Sequence, residues 1–112
     1  MRISREVGPE VLDGPCTVVY VTSSHCSSCG KAIPWLEEIE SRTDGRVSFV
    51  KVVQDKDTDP LRYCRGFTKI KGWPFTIIYK DGKRVDFFYG YESVAQYKRR
   101  VVKNIREFMK GG

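Results

Sequence analysis

The 112-residue sequence contains no apolar run approaching the roughly 20 residues that a membrane-spanning helix needs. Its first ten residues, MRISREVGPE, lack the apolar core of a secretory signal peptide. These two absences predict a cytoplasmic protein with no membrane partner. In that compartment a pair of closely spaced cysteines is more often catalytic than structural.

Residues that bind metal ions are also scarce. The sequence has four cysteines and one histidine, and only Cys26 and Cys29 form a C-x-x-C pair. A zinc site needs about four ligands, and the remaining candidates, Cys16, Cys64 and His25, contain no second C-x-x-C spacing. We therefore predict no metal and no bound cofactor, and we keep zinc as a minor alternative.

Length and charge limit the remaining possibilities. A chain of 112 residues, 40% of them apolar, fits one domain with a single core. The net charge is +6, and residues 92–112 contribute six basic and two acidic side chains. These charges occupy the polar side of an amphipathic helix without interleaved aromatic residues. We therefore predict a solvated helix face and a monomer, and we do not expect nucleic acid as a partner.

The stretch from Thr17 to Trp35 places two cysteines between a strand and a helix. The run VVYV at residues 18–21 is β-branched and aromatic, as in buried strands. Apolar residues recur after Cys29 with helical spacing. An anion is stabilised at the first turn of a helix, so we predict that Cys26 ionises readily and is the nucleophile. Cys29, one turn further on, is predicted to resolve the mixed disulfide formed on Cys26.

Two other interpretations of the cysteine pair stay open. A structural disulfide across this spacing closes a very small loop and adds little stability through chain entropy. A chance C-x-x-C is the other alternative, and the position between a strand and a helix argues against it. Redox activity is the interpretation that we prefer.

Periodicity and turn residues predict the other elements. The predicted strands span residues 16–22, 47–53, 75–79 and 85–89, and the predicted helices span residues 27–42, 59–67 and 93–109. Pro34 is expected to kink the first helix, and Asp59 to cap the second. Asp81-Gly82 predicts a tight hairpin turn. A short edge strand at residues 2–5 would add a fifth strand.

These motifs resemble those of thioredoxins. The segment HCSSCGKAIPWLEEI is similar to the thioredoxin active site and its following helix, with Pro34 at that helix's characteristic proline. The segment GWPFTIIYKDG resembles the cis-proline loop and the hairpin after it. The resemblance implies an α/β thioredoxin fold, with a central mixed sheet of four to five strands flanked by helices. Residues 16–110 would form its core, and residues 1–15 a shortened N-terminal extension of one domain, 1–112.

The resemblance also implies a function. It suggests a thiol–disulfide oxidoreductase that acts on disulfide-containing proteins through Cys26 and Cys29 and receives electrons from a separate reductase. Pro74 matches the cis-proline that faces the dithiol in this family. The backbone of Trp73 would then be free to pair with an extended substrate segment. The Trp73 side chain departs from the usual small aliphatic residue, so packing in the core and contact with a partner both stay open.

Five positions depart from, or complete, the family pattern around the dithiol. Tyr20 stands where thioredoxins have an acid, and with a reference pKa of about 10 it cannot be a base near neutral pH. A hydrogen bond of its hydroxyl and simple packing are the two alternatives for this side chain. Lys51 matches the lysine that accompanies that acid. Ser27 and Ser28 replace Gly-Pro and offer hydroxyl groups to a thiolate. His25 replaces a tryptophan, and its protonated form would favour the neighbouring thiolate.

Cys16 and Cys64 are predicted to be unpaired. Cys16 opens the first core strand, about 20 Å from the end that carries the dithiol. In a thioredoxin fold, the segment that contains Cys64 begins and ends near the dithiol. A disulfide needs α-carbons within about 7 Å, so the two cysteines are expected to lie too far apart.

Two alternative functions remain. A glutaredoxin shares the fold and uses glutathione, and Gly90-Tyr91-Glu92 is faintly similar to a glutathione loop, although the usual threonine-valine before Pro74 is missing. The other alternative is a redox switch or binding module whose dithiol changes a surface without turnover.

Overall fold

The computed structural model describes residues 1–111 and contains one sheet of five strands in the order β1–β3–β2–β4–β5. β1, β2 and β3 run parallel, while β4 is antiparallel to both β2 and β5. The strands are β1 (Arg2–Ile3), β2 (Cys16–Ser23), β3 (Val47–Gln54), β4 (Phe75–Lys80) and β5 (Lys83–Tyr89). The predicted mixed sheet is confirmed, with the N-terminal strand as its fifth member.

Within residues 1–111, two α-helices pack against the same face of the sheet, α1 (Ile33–Ser41) and α2 (Val94–Gly111). The predicted first helix, 27–42, is wrong at its start, because a 3-10 helix, Cys29–Ala32, precedes α1. Pro34 therefore lies in the first turn of α1, where a missing N–H leaves no hydrogen bond unmade. The expected kink requires a proline in a helix interior, and Pro34 does not occupy such a position.

The predicted second helix is shorter than expected. It is a 3-10 helix, Pro60–Tyr63, and the Asp59 side chain accepts a hydrogen bond from the Leu61 N–H at 3.0 Å, which confirms the predicted cap. Gly66 has a φ of +93°, in the left-handed region, so the helix cannot continue to Phe67. Another 3-10 helix, Pro9–Asp13, lies between β1 and β2.

Both faces of the sheet are covered, so β2 is buried from Cys16 to Thr22. On one face, Tyr20 and Phe49 pack with Leu36 of α1 and Val101 of α2. On the other face, the buried residues form what we call the second core cluster: Leu12, Val19, Val21, Val50, Val52, Tyr63, Cys64, Phe75, Ile77 and Tyr79. The hairpin turn is as predicted, since Asp81 and Gly82 both have positive φ.

Cys16 and Cys64 are both buried and carry no disulfide. The prediction that they are unpaired is confirmed, but part of its reason was wrong. Cys64 packs in the same buried cluster as Tyr79, which pairs with Thr17, so it lies near the Cys16 end of the sheet. The two thiols belong to the two core clusters on opposite faces, and the sheet itself separates them.

Both buried thiols are expected to resist alkylation in the folded, oxidised protein. Burial raises the pKa of Cys16 to about 11 and that of Cys64 to about 12, so neither is a thiolate near pH 8. Mass spectrometry after iodoacetamide treatment should show no label on the native protein and two labels after denaturation without reductant. A Cys16–Cys64 disulfide peptide in the digest would contradict this expectation.

Candidate active site

The two cysteines of the C-x-x-C motif lie where β2 gives way to helix. β2 ends at Ser23, whose carbonyl accepts a hydrogen bond from the Cys26 N–H at 3.0 Å. Cys29 is the first residue of the 3-10 helix that leads into α1. Cys26 and Cys29 form a disulfide, with α-carbons 5.5 Å apart. The dithiol is thus held by a strand end on one side and by a helix start on the other.

The two cysteines differ in exposure. Cys29 is only 2% exposed and sits beneath the loop, whereas Cys26 is half-buried. Cys26 precedes the 3-10 helix by three residues, so it lies further from the start of a helix than expected, since the predicted helix began at residue 27. A partner that approaches from solvent therefore meets the sulfur of Cys26 first.

Three polar residues surround Cys26, and the side chain of Ser28 lies within hydrogen-bond range of its sulfur. The Ser28 Oγ lies 3.7 Å from the Cys26 Sγ, within the range of a weak hydrogen bond to sulfur. Ser27 and His25 are exposed, and His25 is fixed by its backbone N–H, which donates to Ser23 Oγ at 3.2 Å. Within residues 1–111, no side-chain hydrogen bond of His25 or Ser27 is found.

Tyr20 lies directly beneath the dithiol loop. Its side chain is fully buried, and its hydroxyl donates a hydrogen bond to the carbonyl oxygen of Cys29. Burial raises the pKa of the Tyr20 hydroxyl far above its usual value, and nearby Tyr97 and Tyr91 raise it further. Tyr20 therefore remains a neutral hydrogen-bond donor. Lys51 lies opposite Tyr20 on β3 and is half-buried, so the two predicted positions are neighbours across the strands.

Tyr91, which the sequence analysis noted only as part of a faint similarity to a glutathione loop, contacts the dithiol loop directly. Its hydroxyl donates to the Ser28 carbonyl at 3.0 Å, and its ring meets Trp35 edge-on at 5.0 Å. Gly90, with a φ of +64°, turns the chain at the end of β5 towards the dithiol loop. A tyrosine directly after such a glycine was the available signal. Tyr20 and Tyr91 together bind two consecutive carbonyls, those of Cys29 and Ser28.

The loop before β4 lies beside the same site. The Trp73–Pro74 peptide bond is cis, and Pro74 is buried, with its carbonyl accepting from the Gly90 N–H at 2.7 Å. Phe75 pairs with Val21, so Pro74 lies next to the end of β2 from which the dithiol loop departs. Trp73 is half-buried against the second core cluster. In the described part of the chain, its backbone N–H and C=O make no hydrogen bond.

Neither a metal site nor a membrane helix is found in the described residues. No three His, Cys, Asp or Glu side chains of residues 1–111 are grouped so that they could hold a metal ion. No helix in this range combines the length and the apolar character needed to cross a membrane.

Two cysteines within bonding distance at the surface of this fold can form and break a disulfide reversibly. The fold and the dithiol define a thiol–disulfide oxidoreductase of the thioredoxin-like kind. The thioredoxin family model matches residues 8–105, and the chain belongs to the thioredoxin family. A thioredoxin from Acetoanaerobium sticklandii is 35% identical over 78 residues, which cover 69% of this chain and 70% of that protein.

Solved thioredoxin structures share the fold. A thioredoxin from Plasmodium falciparum matches with a TM-score of 0.68 and one from Fasciola hepatica with 0.66, each at 22% sequence identity. Each match covers 92% of this chain and 98% of the other. The expected α/β thioredoxin fold is therefore confirmed.

Proposed function

We propose that the protein exchanges its Cys26–Cys29 dithiol with disulfides of protein substrates, and that Cys26 is the nucleophile. This assignment rests on the difference in exposure between the two cysteines, because Cys29 is 2% exposed and Cys26 is half-buried. Only the more accessible sulfur can line up with a disulfide in another protein. Cys29 is held within bonding distance of Cys26, as a resolving thiol must be.

The reaction then has two exchange steps. The Cys26 thiolate attacks one sulfur of the substrate disulfide, which forms a mixed disulfide and releases the other substrate sulfur as a thiolate. The Cys29 thiolate next attacks the Cys26 Sγ, which forms the intramolecular disulfide and releases the first substrate sulfur. Two electrons pass from the dithiol to the substrate, and a separate reductase restores the dithiol.

The cis-proline loop is proposed to hold the substrate during both steps. The free N–H and C=O of Trp73 can pair with an extended substrate segment as an added strand would. Pro74, beside the end of β2, would keep this segment close to the dithiol loop. The Trp73 side chain is partly exposed, so it can also contact the substrate.

The other residues around the dithiol are proposed to act on its loop and its thiolate. Ser28 is placed to donate a hydrogen bond to the Cys26 thiolate, while His25 and Ser27 flank it from solvent. Tyr20 holds the backbone of Cys29 and supplies no base. Lys51 lies across from Tyr20 without a carboxylate partner at that position, so the proton of the Cys29 thiol has to leave by another route.

Turnover distinguishes this proposal from its alternatives. With dithiothreitol as electron donor, the protein is expected to accelerate the reduction of insulin, while a glutathione mixed-disulfide substrate should react much more slowly. Faster turnover with glutathione would favour a glutaredoxin. A dithiol that is readily reduced but gives no acceleration with either substrate would favour a redox switch without turnover.

A further inference from the structure

An aromatic and basic surface lies beside the cis-proline loop, on the face of β5 that also carries the second core cluster. We call it the basic aromatic patch and define it by six side chains: Phe67, Lys69, Lys71, Arg84, Phe87 and Tyr89. With Gly66 and Thr68 they line an open cavity of about 310 Å³. The proposed exchange reaction does not use this cavity.

The pairing of β4 with β5 brings the patch residues to one face of the sheet. Tyr89 pairs with Phe75 and Phe87 with Ile77, so their side chains share the face of the second core cluster. An irregularity between Ile78 and Tyr79 shifts the register, and Arg84 then pairs with Tyr79 on that same face. Without this bulge, Arg84 and Phe87 would point to opposite sides.

Arg84 holds the aromatic side chains of the patch together. Its guanidinium lies 4.7 Å from the ring centre of Phe67 and 5.0 Å from that of Phe87, both within the range of a cation–π interaction. Phe67 and Phe87 contact each other edge-on at 5.1 Å. Phe87 nevertheless stays 39% exposed. Apolar surface is thus presented to solvent beside a fixed positive charge.

The basic side chains of the patch have no acidic partners. In the described part of the chain, Lys69, Lys71 and Arg84 form no ion pair, and no acidic residue lines the cavity. The other face of β5 differs, because Asp86 pairs there with Arg100 at 2.7 Å. Three uncompensated cations on one small surface attract an anionic partner and orient its approach.

The patch begins where the proposed substrate site ends. The ring of Tyr89 lies against Gly72, and a Cβ atom at Gly72 would be only 3.4 Å from it. Gly72 is the residue before Trp73, whose backbone is free to pair with a substrate. A substrate segment that leaves this backbone can therefore continue directly over Tyr89 onto the patch.

We propose that the basic aromatic patch binds an acidic segment of a protein substrate, adjacent to the segment that carries its disulfide. This inference rests on the proposed function, because it names the class of substrate for that site. Charge complementarity and continuity with Trp73 support it. Nucleic acid fits less well, because Arg84 covers the rings of Phe67 and Phe87, on which bases would have to stack.

Binding to the patch can be measured without turnover. The probe is a glutamate-rich peptide whose two cysteines are replaced by serine, added to the oxidised protein at low salt. Amide NMR shifts are expected to change at residues 67–71 and 84–89, and salt should weaken binding. Shifts confined to the basic face of α2, or a single-stranded oligonucleotide that binds the patch more tightly than the peptide, would overturn the proposal. This result does not depend on whether the dithiol turns over.

Reduction rates of two peptides test whether the patch favours acidic substrates. The substrates are a disulfide-bonded peptide flanked by glutamates and its matched version with glutamines. Lys69→Glu/Lys71→Glu should lower kcat/KM for the acidic peptide about tenfold and leave the neutral peptide unchanged. Arg84 is retained in this variant so that the aromatic cluster persists.

Lys103→Glu/Arg106→Glu on α2 makes the same change in charge at a distance and is the matched control. It should keep the preference for the acidic peptide. Equal losses in both double variants would show an effect of net charge alone and would overturn the proposal. Failure of the wild-type protein to reduce either peptide would count against the proposed function, while the NMR result would still decide whether the patch binds.

Discussion

Cys26→Ser is expected to abolish disulfide exchange, whereas Cys29→Ser should still attack a substrate and then stop at a mixed disulfide. The reason is the difference in exposure, with Cys26 half-buried and Cys29 only 2% exposed. Without Cys29, no thiol is within bonding distance of Cys26 to release the bound substrate. Intact-mass measurement with a disulfide-bonded substrate should show a covalent adduct for Cys29→Ser and none for Cys26→Ser.

Peptide mapping decides which sulfur carries the adduct. Cys16→Ala/Cys64→Ala is the control that removes the other two thiols, and exchange through Cys26 should survive in it because both are buried away from the dithiol. An adduct on Cys29 in the Cys26→Ser variant would reverse the assignment of roles. Equal activity of the two single variants would refute a dithiol mechanism.

Much of the fold follows from local sequence signals. The apolar runs before Cys26 and after Gly45 give β2 and β3, because a strand covered on both faces needs continuous apolar residues. Asp81-Gly82 gives the hairpin because its turn needs positive φ at both residues. The predicted start of the first helix was wrong, because apolar periodicity does not distinguish a 3-10 turn from an α-helix.

The dithiol could be found from the sequence, but most of its surroundings could not. C-x-x-C between a strand and a helix is a local pattern, so Cys26 and Cys29 were identified directly. The hydrogen bond from Tyr91 to the Ser28 carbonyl joins residues 63 positions apart. The cavity beside Phe87 depends on a register shift in β5. Such contacts arise from tertiary packing, which no local pattern in a single sequence encodes.

The role of Tyr20 shows the same limit. Its position was singled out because the family has an acid there, and the expected alternatives were a hydrogen bond or simple packing. The structure shows both, since the ring is fully buried and the hydroxyl donates to the Cys29 carbonyl. A phenol in this position donates to the backbone carbonyl of Cys29, whereas an ionised carboxylate has no proton to donate there.

Tyr20→Asp is expected to lower the stability of the protein strongly and to accelerate reduction near neutral pH. Loss of the buried ring costs about 3–5 kcal/mol, and the Cys29 carbonyl loses its donor. The new carboxylate is buried, and Lys51 offsets only part of that cost. When ionised, this carboxylate is a base beneath Cys29 and assists the resolving step. Thermal unfolding and the rate of insulin reduction measure the two effects.

Tyr20→Phe separates the hydrogen bond from the ring. It keeps the buried aromatic volume and removes only the donor to the Cys29 carbonyl, so the expected loss of stability is about 1 kcal/mol. It provides no base, and the rate should not rise. A faster Tyr20→Phe variant would show that the hydroxyl restrains the dithiol loop and that the gain in Tyr20→Asp is not base catalysis. An unchanged melting temperature in both variants would mean that Tyr20 does not lie beneath the dithiol.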